Sequence, residues 1–408
     1  MLLLFVCVTM AQGAEADAQR IQAGITARHL PYGTILDPIF STPDGDEIQN
    51  YTRCGDSALW TGHYLAAQAF RYGAAVNGAA VNGAGSTAEA LAEVNQALDG
   101  VETLVRITGN GLLARCAFPA DSPYAGMMAE EEKQHGLIAG TVRGEPWLWI
   151  GNTSRDQYLG VFFGLNVAWS LVPDAAVQRR VAALSTAMLD NLTSHAWTVV
   201  MPDGSPSTTF IHRPDQQLAL LKLGRRANAG RFENVYKALA NSASFAVIVP
   251  ISTEVRDPYD SYFKFNLDYI GFWSLLTSGD NALIRANYKR AYDVLRRTTD
   301  DHGNAHFNLM DRAINGPNAG RDAETRRLLD EWLARPRRDF ITDMRGLVAQ
   351  CGDRACTPLP VAARAYTDFL WQRSPFQLTG GGGWPVESSG IDYLLPYWMG
   401  RYYGVLRE

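Results

Sequence analysis

The 408-residue chain is sparing with charge and with cysteine, and it has no dense run of lysine or arginine. Only 19% of its residues are charged, against roughly 25% in an average soluble domain. Its 37 basic and 42 acidic side chains leave a formal charge of −5, and without a basic stripe a nucleic-acid partner is not expected. No G-x-G-x-x-G opens a helix after a strand and no Walker loop occurs, so the nucleotide-binding signatures of parallel-sheet folds are missing. The glycine run at 380–383 continues into Trp384 and Pro385 instead of Lys and Ser/Thr, which makes it a loop and not a phosphate cradle. The chain is 47% hydrophobic, with 10 Trp, 17 Tyr and 16 Phe. That is ample apolar surface to offset chain entropy, and it excludes disorder as the main state.

Beyond the first residues no stretch is expected to be long and apolar enough for a membrane helix. Residues 1–14, MLLLFVCVTMAQGA, are too short to span a bilayer. They read as the apolar core of an export signal with a cleavage zone near 13–16, although no basic residues precede it. The alternative is a buried N-terminal segment. Export implies a secreted or periplasmic protein with one domain over 17–408. Loss of Cys7 with the leader leaves Cys54, Cys116, Cys351 and Cys356, an even number compatible with two disulfides. Cys351 and Cys356 flank a loop short enough to close, so Cys351–Cys356 and Cys54–Cys116 are the expected pairs. Zinc is the competing use, but the spacings match no common zinc pattern. No metal or other cofactor is expected.

Two kinds of helical segment alternate along the chain. One begins with a polar residue and continues almost wholly apolar and aromatic, starting at Asp56, Asp156, Asp215, Asn266, more weakly at His306, and at Asp392. The other is amphipathic, at 86–105, 175–192, 228–241, 281–297, 322–333 and 360–371; Ser86 and Glu89 form a capping box for the first. A helix apolar all round is buried on every side, whereas one with a charged face lies outside. Six of each predict an all-α (α/α)6 toroid, with residues 117–153 as a loop over one rim. A looser helical arrangement is the alternative.

In this arrangement the chain resembles the six-hairpin glycosidase superfamily and its relatives among polysaccharide lyases and sugar epimerases. The residues carrying the resemblance are Asp56-Ser-Ala-Leu-Trp-Thr-Gly-His63, Arg155-Asp-Gln-Tyr158 and Gly380-Gly-Gly-Gly-Trp384, and it covers most of the chain at the level of architecture. It implies a carbohydrate substrate bound where the inner helices begin.

Parallel inner helices would bring their positive N-terminal ends, with Asp56, Asp156, Asp215, His306 and Asp392, to one rim. Each Asp has a simpler reading as an N-cap. Crowded carboxylates, however, push their pKa values apart, and glycosidic cleavage needs one acid and one base or nucleophile. Asp56 and Asp156 are the expected catalytic pair. About 5–5.5 Å between them would suit retention and roughly 6.5–9.5 Å inversion, while beyond ~15 Å the pair would fail. Trp60 and His63 follow Asp56 on one helical face, as a stacking platform and an imidazole; His63 can equally be a core histidine bonded to a carbonyl. Arg155, Gln157 and Tyr158 surround Asp156, and Arg155 either lowers its pKa or binds a substrate carboxylate. Arg53 and Arg115, brought together by a Cys54–Cys116 bridge, would suit an anionic sugar. Asp215 and Gln216 offer substrate hydrogen bonds or simple capping. Tyr262, Asn266 and His306 supply the residue types of a uronate lyase or epimerase. Trp384 and Glu387 form a mobile lid or a structural turn. A non-catalytic sugar-binding protein is a further alternative. A terpene cyclase is disfavoured by the lack of an Asp-x-Asp-Asp motif.

Overall fold

The computed structural model describes residues 15–79, 87–259, 262–338, 341–365, 369–382 and 385–406. The leader residues 1–14, Ser86 of the capping box and Trp384 lie outside them. The described chain is mainly helical, with fourteen α-helices. They are α1 (Glu15–Gly24), α2 (Ser57–Ala74), α3 (Thr87–Arg106), a short α4 (Ala125–Glu131), α5 (Arg155–Leu171), α6 (Ala175–Ser194) and α7 (Pro214–Ala227). There follow α8 (Ala229–Ala243), a short α9 (Ile248–Glu254), α10 (Tyr262–Leu276), α11 (Ala282–Thr299), α12 (Ala305–Asn315), α13 (Ala319–Leu333) and α14 (Ile391–Tyr402).

The two kinds of helix separate by burial. In α2 every residue except Arg71 is buried, and α14 is buried from Ile391 to Arg401. In α3, by contrast, Ala90, Val94, Ala97, Leu98, Val101, Leu104 and Val105 form one buried face, the spacing of a helix with one side in water. The apolar helices pack in succession: α2 on α5, α5 on α7, α7 on α10, α10 on α12, α12 on α14, and α14 back on α2. The amphipathic α3, α6, α8, α11 and α13 each pack on one or two of these, and α1 packs on α14. One apolar core accordingly runs from Ala18 to Leu406.

One expected helix does not form. Over 360–371 the described residues contain only a 3-10 turn at Val361–Ala363. Phe369 and Trp371 are buried on the ends of the apolar helices instead, and the Leu370 backbone bonds to Asp392 and Asn304. These side-chain partners replace the helical ladder. The rim loop also has more structure than expected. Strands β1 (Asp37–Phe40) and β2 (Ile48–Thr52) pair antiparallel ahead of α2, and β3 (Cys116–Pro119), β4 (Leu137–Val142) and β5 (Glu145–Ile150) form an antiparallel sheet in the order β3-β5-β4, with α4 between β3 and β4.

By length and composition Ala229–Glu254 meets the requirement for a membrane span, which corrects the expectation that no stretch outside the N-terminus does. Here it is interrupted at Ala243, where φ is −133°, and its parts pack on α7 and α11.

Between α13 and α14 the described residues of 334–390 form an irregular segment. Its short pairings are Thr342–Asp343 with Thr379–Gly380 and Gln350–Cys351 with Arg354–Ala355. Both expected disulfides are present, Cys54–Cys116 and Cys351–Cys356.

Candidate functional site

The site begins with three glycines. A Cβ on Gly62 would lie 2.1 Å from the carbonyl oxygen of Gly160, and one on Gly164 would lie 2.3 Å from the carbonyl oxygen of Gly62. Only hydrogen fits between these backbones, so α2 and α5 approach more closely than side chains would allow. That contact brings Asp56, just before α2, beside Asp156 and Gln157 at the start of α5.

Gln157 is fully buried and ties the two helices together. Its Oε1 accepts from the Leu59 N–H at 2.9 Å. Its amide nitrogen donates to Asp56 Oδ1 and to Asp156 Oδ2, both at 3.3 Å. The two carboxyl oxygens are therefore no further apart than twice that distance. Asp56 occupies the N-cap position of α2 but makes no capping hydrogen bond, so the carboxyl remains turned to the cleft.

The turn Cys54–Asp56 is held from three sides. Cys54 is bonded to Cys116 of β3. The Gly55 N–H donates to the buried Glu132 at 2.7 Å, and Arg115 Nη1 donates to the Gly55 carbonyl at 2.8 Å. A Cβ at Gly55 would meet the Glu132 carboxylate at 2.9 Å, which explains glycine at that position. Burial, reinforced by the Asp156 charge, pushes the Asp56 carboxyl up to about 6; Arg115, Arg53 and the Gln157 amide oppose the rise.

Asp56 and Asp156 lie in a cleft of about 700 Å³. Its other wall comes from the irregular segment, the loop before α10 and the first turn of α10: Tyr259, Phe263, Arg354, Gln372, Arg373, Phe376 and Gln377. Arg354 stacks 3.8 Å above the Tyr259 ring, and Tyr259 meets Phe376 edge to face. The Cys351–Cys356 bridge closes the hairpin that carries Arg354. A second lobe of about 330 Å³ shares Asp156 and Phe263 with the first and is lined by Arg115, Arg155, Arg213, Gln216, Glu254 and Lys264 among others.

Of the residues singled out in the sequence, Asp56, Asp156, Gln157, Arg115, Arg155 and Gln216 meet at this cleft, with Arg53 close enough to act on Asp56. The structure corrects the remainder. Trp60 is 2% exposed and covered by Phe369 at 4.7 Å, so it is no stacking platform. Tyr158 is fully buried, its hydroxyl accepting from the Leu113 N–H. His63 is a core histidine: Nδ1 donates to the Leu59 carbonyl at 3.0 Å and Nε2 accepts from Asn266 at 3.2 Å. Burial holds His63 at about 4, and His306, 1% exposed beside it, is likewise pushed well down. Tyr262 and Asn266 have no exposed surface.

Asp215 neither caps a helix nor reaches the main cleft; it accepts hydrogen bonds from Nε and Nη2 of Arg213. Asp392 is buried against Arg335 and the Leu370 N–H. Glu387 is a structural anchor for the irregular segment, bonded to Arg28 and facing His29. Burial alone would raise it, but His29, Arg337 and Arg28 hold it at about 2. Sequence reasoning missed Tyr259, Phe263, Arg354, Gln372 and Gln377, because none of them lies in a segment that the helical pattern singled out. A signal was present in the polar, proline-punctuated runs Asp257-Pro-Tyr259 and Ser374-Pro-Phe376.

No family model matches this chain, and no curated protein sequence matches it.

Proposed function

We propose that the chain is an exported carbohydrate-active enzyme, a glycoside hydrolase acting on an oligosaccharide or a uronate-containing glycan through Asp56 and Asp156. Its scaffold in this reading is an (α/α)6 toroid. The succession of apolar helices that returns from α14 to α2 supports that architecture, with α1 on α14 in place of the helix expected at 360–371. The two disulfides are compatible with an oxidising compartment and hence with export.

The observation that carries the proposal is a carboxyl pair bridged by one buried amide in a large open cleft, with one member pushed up to about 6. Asp56 then supplies the proton for the departing glycosidic oxygen, and Asp156 supplies the carboxylate that acts at the anomeric carbon or on a water there. Gln157 keeps the two groups in fixed relation, so neither must be reorganised when charge develops. Tyr259 and Phe263 give the cleft the aromatic faces on which sugar rings rest.

Lyase or epimerase chemistry has less support. His63 and His306 lie against Trp371 and Tyr262 is fully buried, so none of them lines the cleft. The test is a screen of glycans for reducing-end release by wild type, Asp56→Asn and Asp156→Asn. Loss of release in both variants with unchanged circular dichroism is expected. Wild-type rates in both would defeat the assignment, and a product absorbing in the ultraviolet would identify a lyase.

A further inference from the structure

The lobe beyond Asp156 has its own chemistry. It shares Asp156 and Phe263 with the main cleft, so a sugar chain crossing the carboxyl pair enters it. Its cations already have partners. Arg213 is bonded to Asp215 and, at 2.8 Å, to Glu254. Arg115 donates to the carbonyls of Asn152 and Gly55. Arg155 donates to the Thr209 carbonyl and has Asp156, Asp215 and Glu254 as neighbouring charges. Burial and the Glu254 charge push Asp268 well above its ordinary value, and the buried Asp268 Oδ2 and Glu254 Oε2 have no hydrogen-bond partner.

What remains without a partner is oxygen. Gln216 is 5% exposed and Oε1 has no hydrogen-bond partner; the buried Ser154 Oγ, on the same lobe, has none either. Buried polar atoms are nearly always paired. A carbonyl oxygen can only accept, so Gln216 calls for a ligand that brings O–H or N–H groups. A carboxylate placed here would set acceptor against acceptor. Sugar hydroxyls satisfy both atoms, since a hydroxyl donates and accepts, and Phe263 offers an apolar face at the junction.

We infer that this lobe is a subsite for an uncharged sugar residue, recognised through its hydroxyl groups by Gln216 and Ser154. The inference rests on the glycosidase reading for its place in catalysis, though not for binding. It narrows the substrate, because the residue beside Asp156 on this side carries hydroxyls and no carboxylate.

The experiment compares neutral gluco-, manno- and xylo-oligosaccharides with oligoglucuronates and oligomannuronates, using wild type, Gln216→Ala, Ser154→Ala and Asp56→Asn. Cleavage of a neutral set is expected. Gln216→Ala and Ser154→Ala should each raise KM roughly 3- to 10-fold, with a smaller change in kcat, as for one lost neutral hydrogen bond. Asp56→Asn should collapse kcat. Preference for the uronates, or wild-type KM in both lobe variants, would overturn the subsite while leaving the carboxyl pair intact. Full activity in Asp56→Asn, or no cleavage by wild type, would instead remove the catalytic reading. The subsite is then decided by affinity electrophoresis through gels containing neutral polysaccharide. Retardation of wild type that is weakened in both folded variants supports it, and absence of retardation overturns it.

Discussion

The two walls of the cleft are built by opposite means. On one side, α2 and α5 touch through Gly62, Gly160 and Gly164, and the paired carboxyls of Asp56 and Asp156 are consequences of where two buried helices begin. On the other, the described residues of 334–390 contain little regular structure and are fastened by point contacts: a six-residue disulfide hairpin, Glu387 on Arg28, and Arg335 on Asp392. Rigid packing can hold two groups that must act together. An irregular wall can present varied side chains to a ligand, as loops on a rigid scaffold generally do. On the proposed function, the difference places chemistry on closely packed helices and recognition on a segment held by point contacts.

The sharpest way to break this comparison is at the carboxyls. Asp56→Asn and Asp156→Asn should each lower kcat by about 10³-fold or more, in line with general acid–base and nucleophilic roles, with melting curves close to wild type. A loss of only a few fold, measured on any substrate found in the glycan screen, would move the chemistry elsewhere.

Next in size is the glycine contact. Gly62→Ala forces a methyl onto the Gly160 backbone, and overpacking of this kind costs about 1–3 kcal/mol, more where backbone must shift. Urea titration should show that loss together with reduced activity. Unchanged stability would mean that the helices are not locked there.

The disulfides extend the comparison to the unfolded chain. Their sequence separations are 62 for Cys54–Cys116 and 5 for Cys351–Cys356. In the chain-entropy account these correspond to about 4 and about 2 kcal/mol. Replacing the first pair with serine should therefore destabilise the protein more in denaturant. Replacing the second should act mainly on KM, through the hairpin that bears Arg354. Equal effects on stability would show the irregular segment to be as integral as the helices.

A smaller and purely electrostatic effect concerns Asp56. With a folded value of about 6, above its ordinary 3.8, the group favours the folded state fully below about pH 4, and that contribution is lost as pH rises through about 6. Activity requiring the protonated acid should fall over the same upper range. In Asp156→Asn the Asp56 midpoint, followed by carboxyl ¹³C shifts, should drop, because a neighbouring negative charge has gone. A midpoint that stays near 6 would leave burial as the whole cause. Smallest of all, Arg354→Ala should raise KM a few fold and leave denaturation unchanged, since it removes a half-buried side chain from the irregular wall.

The apolar helices were legible because burial on every side leaves a composition that no exposed helix can keep. Asp56 and Asp156 stood out for the same reason, as charged groups at the mouths of apolar runs. The 360–371 segment misled because Val361, Ala365 and Phe369 recur every four residues as on one helix face, yet Phe369 and Trp371 bury themselves by capping other helices. Trp60, His63 and His306 look like site residues in a sequence and are core residues in space, covered by that same segment.

By itself the sequence determined which segments would be buried helices, which cysteines would pair and which two carboxyls would open α2 and α5, since periodicity, parity and polarity at a helix start are local properties. Only the tertiary structure decided which candidate side chains reach the cleft and that Gln157 would bridge the pair. It also decided that Gln216 and Ser154 would be left with unpaired oxygens. Exposure and hydrogen-bond satisfaction depend on what distant parts of the chain place over a residue, and no local pattern contains that information.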